Sequence, residues 1–170
     1  MAAAVTSLQL IEEGWRNYVV KFDVDLDGSS TDLTSTKVVD TSTFSQIYIH
    51  PPKLNAVRID RIEYIVGDGI YLSLFWDATT PKRIVDLAGR GMIDPGMRYG
   101  GLQNNATGGG ITGNITATTT GAGTTKVTAT IILHCVKVPL VAITNNNFVI
   151  QDGGAGFILT DSGSLIVQDT

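Results

Sequence analysis

Val127, Ala129, Ile131, Leu133 and Cys135 occupy every second position of one run, and no other feature constrains the fold of this chain as tightly. Successive side chains of a β-strand point to opposite faces, so such a run is a strand with one face buried and one face wet. It closes a longer stretch, residues 100–138, that opens as a Gly- and Thr-rich loop and passes through Ile115–Thr120. Four of those six residues are Thr, whose branched Cβ suits a pleated surface better than a helix. Gly121-Ala122-Gly123 separates the two runs, and the spacing predicts a β-hairpin.

The same period recurs upstream. Residues 15–26 place Tyr18, Val20, Phe22, Val24 and Leu26 on one face, with Asp27-Gly28 as the turn that ends the strand. Lys37-Val38-Val39 reads as a short strand, while residues 44–49, closed by His50-Pro51-Pro52, fit either a strand or a helical turn. In residues 54–66 the pattern slips: Val57 and Ile59 share one phase, whereas Ile62, Tyr64 and Val66 continue in the other. A one-residue bulge near Asp60-Arg61 brings both sets to the same core. Gly67-Asp68-Gly69 leads into Ile70, Leu72, Leu74 and Trp76, which predicts a second hairpin. Another short strand covers residues 83–87, followed by turns at Gly89-Arg90-Gly91 and Asp94-Pro95-Gly96.

Strands at this spacing, with no helical pattern between them, predict an all-β fold: an antiparallel β-sandwich or jelly-roll-like domain with a short C-terminal β-repeat tail. A chain of 170 residues with 43% hydrophobic content supports one such core. The expected layout is an N-terminal arm over residues 1–14, with a helical turn near residues 8–13, a sandwich over 15–138 and a tail over 139–170. That tail holds three similar units, FVIQD from Phe148, FILTD from Phe157 and LIVQD from Leu165, each predicting a short strand. Strands so short do not hold a fold unaided. Phe148, Ile150, Phe157, Leu159, Leu165 and Val167 are therefore the candidate assembly residues, buried by stacking within the chain or between copies.

The motifs that carry chemistry are weak. Asp23, Asp25, Asp27 and Gly28 match the first half of a calcium loop, but its twelfth position is Thr34, where a bidentate Glu is required. These aspartates alternate with core residues, so a solvated strand face accounts for them and no metal site is expected. Residues 108–113 spell G-x-G-x-x-G, yet they follow a loop and precede a Thr-rich strand, not a helix. No cofactor is expected. His50 and His134 are the only general-base candidates near neutral pH. His134 and Cys135 point to opposite strand faces, and Ser162 and Ser164 lie in a Gly turn without a nucleophile elbow. The catalytic expectation is none, with Cys135 a buried free thiol in a reducing compartment. The sequons at Asn105 and Asn114 matter only on secretion. A net charge of −4 without a basic cluster argues against nucleic acid. The opening residues resemble neither a signal peptide nor a membrane span, so synthesis in the cytoplasm is expected.

Several loop motifs carry a resemblance. WDATT at residues 76–80, GGLQNNA at 100–106, TGNITATT at 112–119 and a closing apolar strand resemble small virion proteins of tailed bacteriophages, over roughly residues 15–138. The FVIQD-type tail is similar to short repeats that end some phage structural proteins. The resemblance implies a non-enzymatic β-sandwich that decorates or cements the phage head. Its partners would be the major capsid protein or other virion proteins and further copies of itself, as a dimer or trimer. A neck, tail or fibre-base ring component is the alternative within that class. A carbohydrate-binding sandwich, using exposed Trp15, Tyr71 or Phe75, is the alternative outside it.

Overall fold

The computed structural model describes residues 4–28, 31–45, 55–123, 126–139, 157–159 and 165–167. The strands are β1 (Val5–Glu13), β2 (Asn17–Leu26), β3 (Thr36–Val39), β4 (Asn55–Val66), β5 (Tyr71–Trp76), β6 (Lys82–Leu87), β7 (Gly89–Ile93), β8 (Ile115–Thr120), β9 (Val127–Pro139), β10 (Phe157–Leu159) and β11 (Leu165–Val167). A short helix, α1 (Pro95–Tyr99), lies between β7 and β8. Two antiparallel sheets, ordered β1-β2-β9-β4-β7 and β3-β8-β5-β6, pack as a sandwich. The fold is all-β.

The pairing is nested. β5 pairs with β6, β4 with β7, β3 with β8 and β2 with β9, so strands 2 to 9 form one long hairpin. That hairpin is folded over on itself, and successive pairs alternate between the sheets, joined by β4–β9 and β5–β8 ladders. The alternating apolar faces of β2, β4, β5 and β9 meet between the layers. Phe22, Ile59, Ile62, Leu74, Trp76, Ile131 and Leu133 are all buried there. Each large side chain so buried contributes about 1.5–3 kcal/mol.

The bulge expected in β4 is present. Ile59 faces Cys135 and Arg61 faces His134, so Asp60 is the extra residue. Val57 and Ile59 before it and Ile62 after it reach the same core. Both expected hairpins, however, are crossings between sheets. β4 and β5 share no ladder, nor do β8 and β9; each pair is joined by a glycine arch that carries the chain from one layer to the other. The two arches sit side by side at one end of the sandwich, where a Cβ on Gly121 would strike the carbonyl oxygen of Gly69. The Asp32 carboxylate clamps the second arch, accepting from Ala122 N at 2.9 Å, Thr119 Oγ1 at 3.1 Å and Gly121 N at 3.2 Å.

Three smaller expectations also change. Residues 8–13 form strand, not a helical turn, because the tight Gly14–Asn17 turn folds β1 back along β2. Gly89-Arg90-Gly91 is not a turn: the chain bends only at Gly89, with φ 66°, and continues as β7 in the other sheet. Asp94-Pro95-Gly96 starts α1, where Asp94 Oδ1 accepts from Met97 N at 3.1 Å. In the tail, β10 and β11 pair antiparallel, Phe157 opposite Val167 and Leu159 opposite Leu165. Phe148 and Ile150 lie outside the described residues, as does most of the segment 44–49.

Candidate functional site

Two of the loop motifs, residues 76–80 and 112–119, meet at the end of the sandwich opposite the arches, while Leu102 of the third bridges to Ile59 of β4. Trp76 closes β5 in the core, and Asp77 then turns the chain toward β6. The Gly-rich segment folds over this turn: Thr79 N donates to Gly109 O at 3.1 Å, and Thr112 Oγ1 to Asp77 Oδ2 at 2.7 Å. Asn114 is buried, and its Oδ1 accepts from both N and Oγ1 of Thr41 at 2.9 Å. Gly108, Gly110 and Gly113 take positive φ values that let the loop lie this close. These glycines build a loop that binds its own neighbouring turn, and the following element is strand β8. Asn114 is an internal hydrogen-bond hub.

The remaining candidates are dispersed. Asp23 accepts from Lys21 Nζ at 2.8 Å and Thr130 Oγ1 at 2.6 Å. Burial works against ionisation of its carboxyl, but these hydrogen bonds outweigh it and hold the pKa below the usual range. Asp25 pairs with Lys126 at 3.0 Å, and Asp27 is exposed at the strand end. Among the described residues no three His, Cys, Asp or Glu side chains converge as a metal ion requires. Cys135 is buried, and burial, with Asp60 nearby, drives its thiol pKa far upward. A thiol so held is not a nucleophile. His134 lies on the outer face, its Nε2 3.1 Å from Glu63 Oε1 and 3.2 Å from Arg61 Nη2, with Arg61 and Glu63 themselves paired at 2.9 Å. His50, Ser162 and Ser164 lie outside the described residues.

Sequence reasoning missed one buried pair. Lys137 continues the inward phase of β9, and its ammonium meets Glu13 Oε1 at 2.8 Å, with side chains only 2% and 9% exposed. The Phe44 ring lies 4.6 Å from Lys137 Nζ, and Ser45 donates to Glu13 through N and Oγ. The signal was legible: position 137 is in phase with Cys135, and an inward lysine demands an anion. Tyr18 packs beside this pair, 4.8 Å from Phe44, and burial followed by the Glu13 charge raises its phenol pKa.

Several large apolar side chains are exposed. Val5, Leu8, Leu10 and Ile11 line β1; Ile65 and Met92 rim a groove of about 370 Å³ on the outer face of the larger sheet; Met97 and Tyr99 project from α1. Trp15 lies at the turn between β1 and β2 and Tyr71 at the arch end of the other sheet, while Phe75 is capped by Arg83 at 5.7 Å. The three aromatics form no shared platform. No protein-family model matches the chain, and no curated protein matches it.

Proposed function

We propose that this chain is a non-enzymatic virion structural protein of a tailed phage, a decoration or cement protein bound to the major capsid lattice. The observation that carries the reading is the nested pairing of strands 2 to 9 in two sheets, ordered β2-β9-β4-β7 and β3-β8-β5-β6. That order is a jelly roll, an architecture recurrent in viral capsid domains and lectins. Its support for function is one of analogy. The loop motifs that resemble phage virion proteins add to it, and two of them, residues 76–80 and 112–119, pack against each other at one end. Several separate exposed apolar patches suit a protein that touches more than one neighbour in a lattice. In this reading the protein is made in the host cytoplasm, joins the virion as a dimer or trimer, and contacts neither nucleic acid nor membrane.

Imaging the virion with this protein labelled is the deciding experiment. Density over the capsid lattice supports decoration, whereas a ring at the neck or tail base, with a six- or twelve-fold native mass, replaces it with the neck or tail reading. The tail is assigned to assembly. Deleting residues 140–170, or Phe157→Asp, lowers the native mass or capsid occupancy while the sandwich stays folded. A truncated chain that keeps both but melts much earlier would return the tail to its own core. Jelly-roll order also occurs in lectins, but without the loop-motif resemblance that accompanies it here; specific binding on a glycan array, lost in Trp15→Ala or Tyr71→Ala, would favour that second reading.

A further inference from the structure

The larger sheet is one strand wider than its partner. β3 is the strand of the smaller sheet that lies against β2, so β1 projects past it. All of Val5–Glu13 except its last residue is exposed. Leu8 and Leu10 stand opposite Phe22 and Val20, so they carry the core face outward as a ledge, still 51% and 49% exposed. The far edge of β1 presents a row of backbone N–H and C=O groups that no described strand takes up.

The other three edges of the two sheets are defended. β3 is four residues long and carries Lys37, β6 carries Lys82 and Arg83, and β7 carries Arg90 between two glycines. Short length and basic side chains are the usual means of blocking edge pairing. β1 is nine residues long and has no Lys, Arg or Pro.

We propose that β1 pairs antiparallel with β1 of a second copy of this chain across a two-fold axis, joining the two five-stranded sheets into one continuous sheet. The sequence of β1 selects a second copy as the occupant. Residues 5–11 are uncharged in a chain of net charge −4, so two copies meet there without like-charge repulsion. With the axis at Leu8, that residue faces its own counterpart and Thr6 faces Leu10, all on the core side, so the regular ladder spans residues 6–10 and ends at the irregularity at Ile11. Glu12 of each copy falls at opposite ends of the joint. Such self-complementarity is what an isologous interface requires. The ledges then meet beneath the joint and cover each other's leucines.

The test uses the purified full chain, away from any virion, so it fails or succeeds independently of the proposed function. Native mass spectrometry is expected to show a dimer or an even-order oligomer. Leu8→Lys, and Gln9→Lys on the opposite face as a second variant, halve that mass while circular dichroism and melting temperature stay close to the parent. Single cysteines at Ser7, Leu8 and Gln9 in a Cys135→Ser background give a covalent dimer under mild oxidation, most at the position nearest the axis, whereas Tyr71→Cys does not. The cross-link also persists when residues 140–170 are deleted, which separates this joint from one made by the tail. A monomeric parent at every concentration, a mass unmoved by both folded lysine variants, or no cross-link at any of the three positions would overturn the proposal. A mass that rises only with added virion protein would assign the edge to a different partner and overturn it equally.

Discussion

Lys137 and Glu13 fasten the last strand of the sandwich to the first, and their ion pair is the most deeply buried among the described residues. Removing one member of a buried ion pair leaves the other charge in a medium that solvates it poorly. Glu13→Ala is expected to lower unfolding free energy by about 3–5 kcal/mol, read from urea denaturation. The paired replacement Glu13→Leu with Lys137→Met loses much less than the sum of the two single changes, because no charge is stranded. Asp40 is a smaller device with a pH signature. Lys37 Nζ donates to it at 2.8 Å and Ser42 Oγ at 2.6 Å, and the lysine bond first, then the serine, hold its carboxyl below the usual range. It also accepts from Ser42 N at 3.1 Å as the cap of the one-turn 3-10 helix Thr41–Thr43. Asp40→Ala therefore costs about 1 kcal/mol at neutral pH. A carboxyl depressed in the folded state contributes stability above its unfolded pKa of about 3.9 and loses it as pH falls through the lower folded value. The ionic share of the gap between parent and variant stays full at pH 7 and closes only in that acidic window, which denaturation at a series of pH values will show.

Among the elements, β4 shows what sequence pattern carries well. Its two apolar phases admit only one reconciliation, an extra residue near Asp60, and the ladder places it there. Deleting Asp60 puts either Val57 and Ile59 or Ile62 and Val66 on the wet face. The expected loss is several kcal/mol, at about 1.5–3 kcal/mol per large side chain, and enough to abolish cooperative melting. Asp60→Ala keeps the residue count and costs far less, which separates register from side chain. The glycine arches show what pattern does not carry. A strand, a Gly turn and a second strand read the same whether the chain returns along its own sheet or crosses to the facing one. Partner choice decides that, and β9 finds its partners in β2 and β4, far away in sequence. β1 was illegible for another reason. A register shift at Ile11 breaks its alternation, and its apolar side chains stay about half or more exposed in one chain. Arch geometry also predicts a cost: Gly121 has φ 101° with Gly69 O against the missing Cβ. Gly121→Ala is expected to destabilise by more than about 1 kcal/mol, whereas Gly123→Ala, whose added Cβ would meet only Gly121 O at an ordinary 3.9 Å, stays within about 0.5 kcal/mol.

Across the whole molecule, the sequence disclosed the class and the layers but not the chemistry, since among the described residues Asp23, Cys135 and His134 lie apart, Cys135 buried and the other two with different partners. The nested hairpin has a temporal consequence. β2 waits for β9, with Asn17 opposite Val136 and Leu26 opposite Val127. At about 5–20 residues per second, a ribosome takes on the order of ten seconds to make the intervening chain. Until β8 is made, Val20, Phe22 and Val24 have no complete second sheet to face. The hairpin of β1 and β2 can form early, but the sheet cannot close until its central strand emerges. Refolding dominated by such distant pairings runs in milliseconds to seconds, slower than for helical chains of similar size. Stopped-flow refolding should show this, and Leu133→Ala, in the late central strand, should slow it. In the cell, the same delay makes the nascent chain a client for chaperones that hold exposed β-strands, and slower translation or lower growth temperature governs how much of it reaches the sandwich.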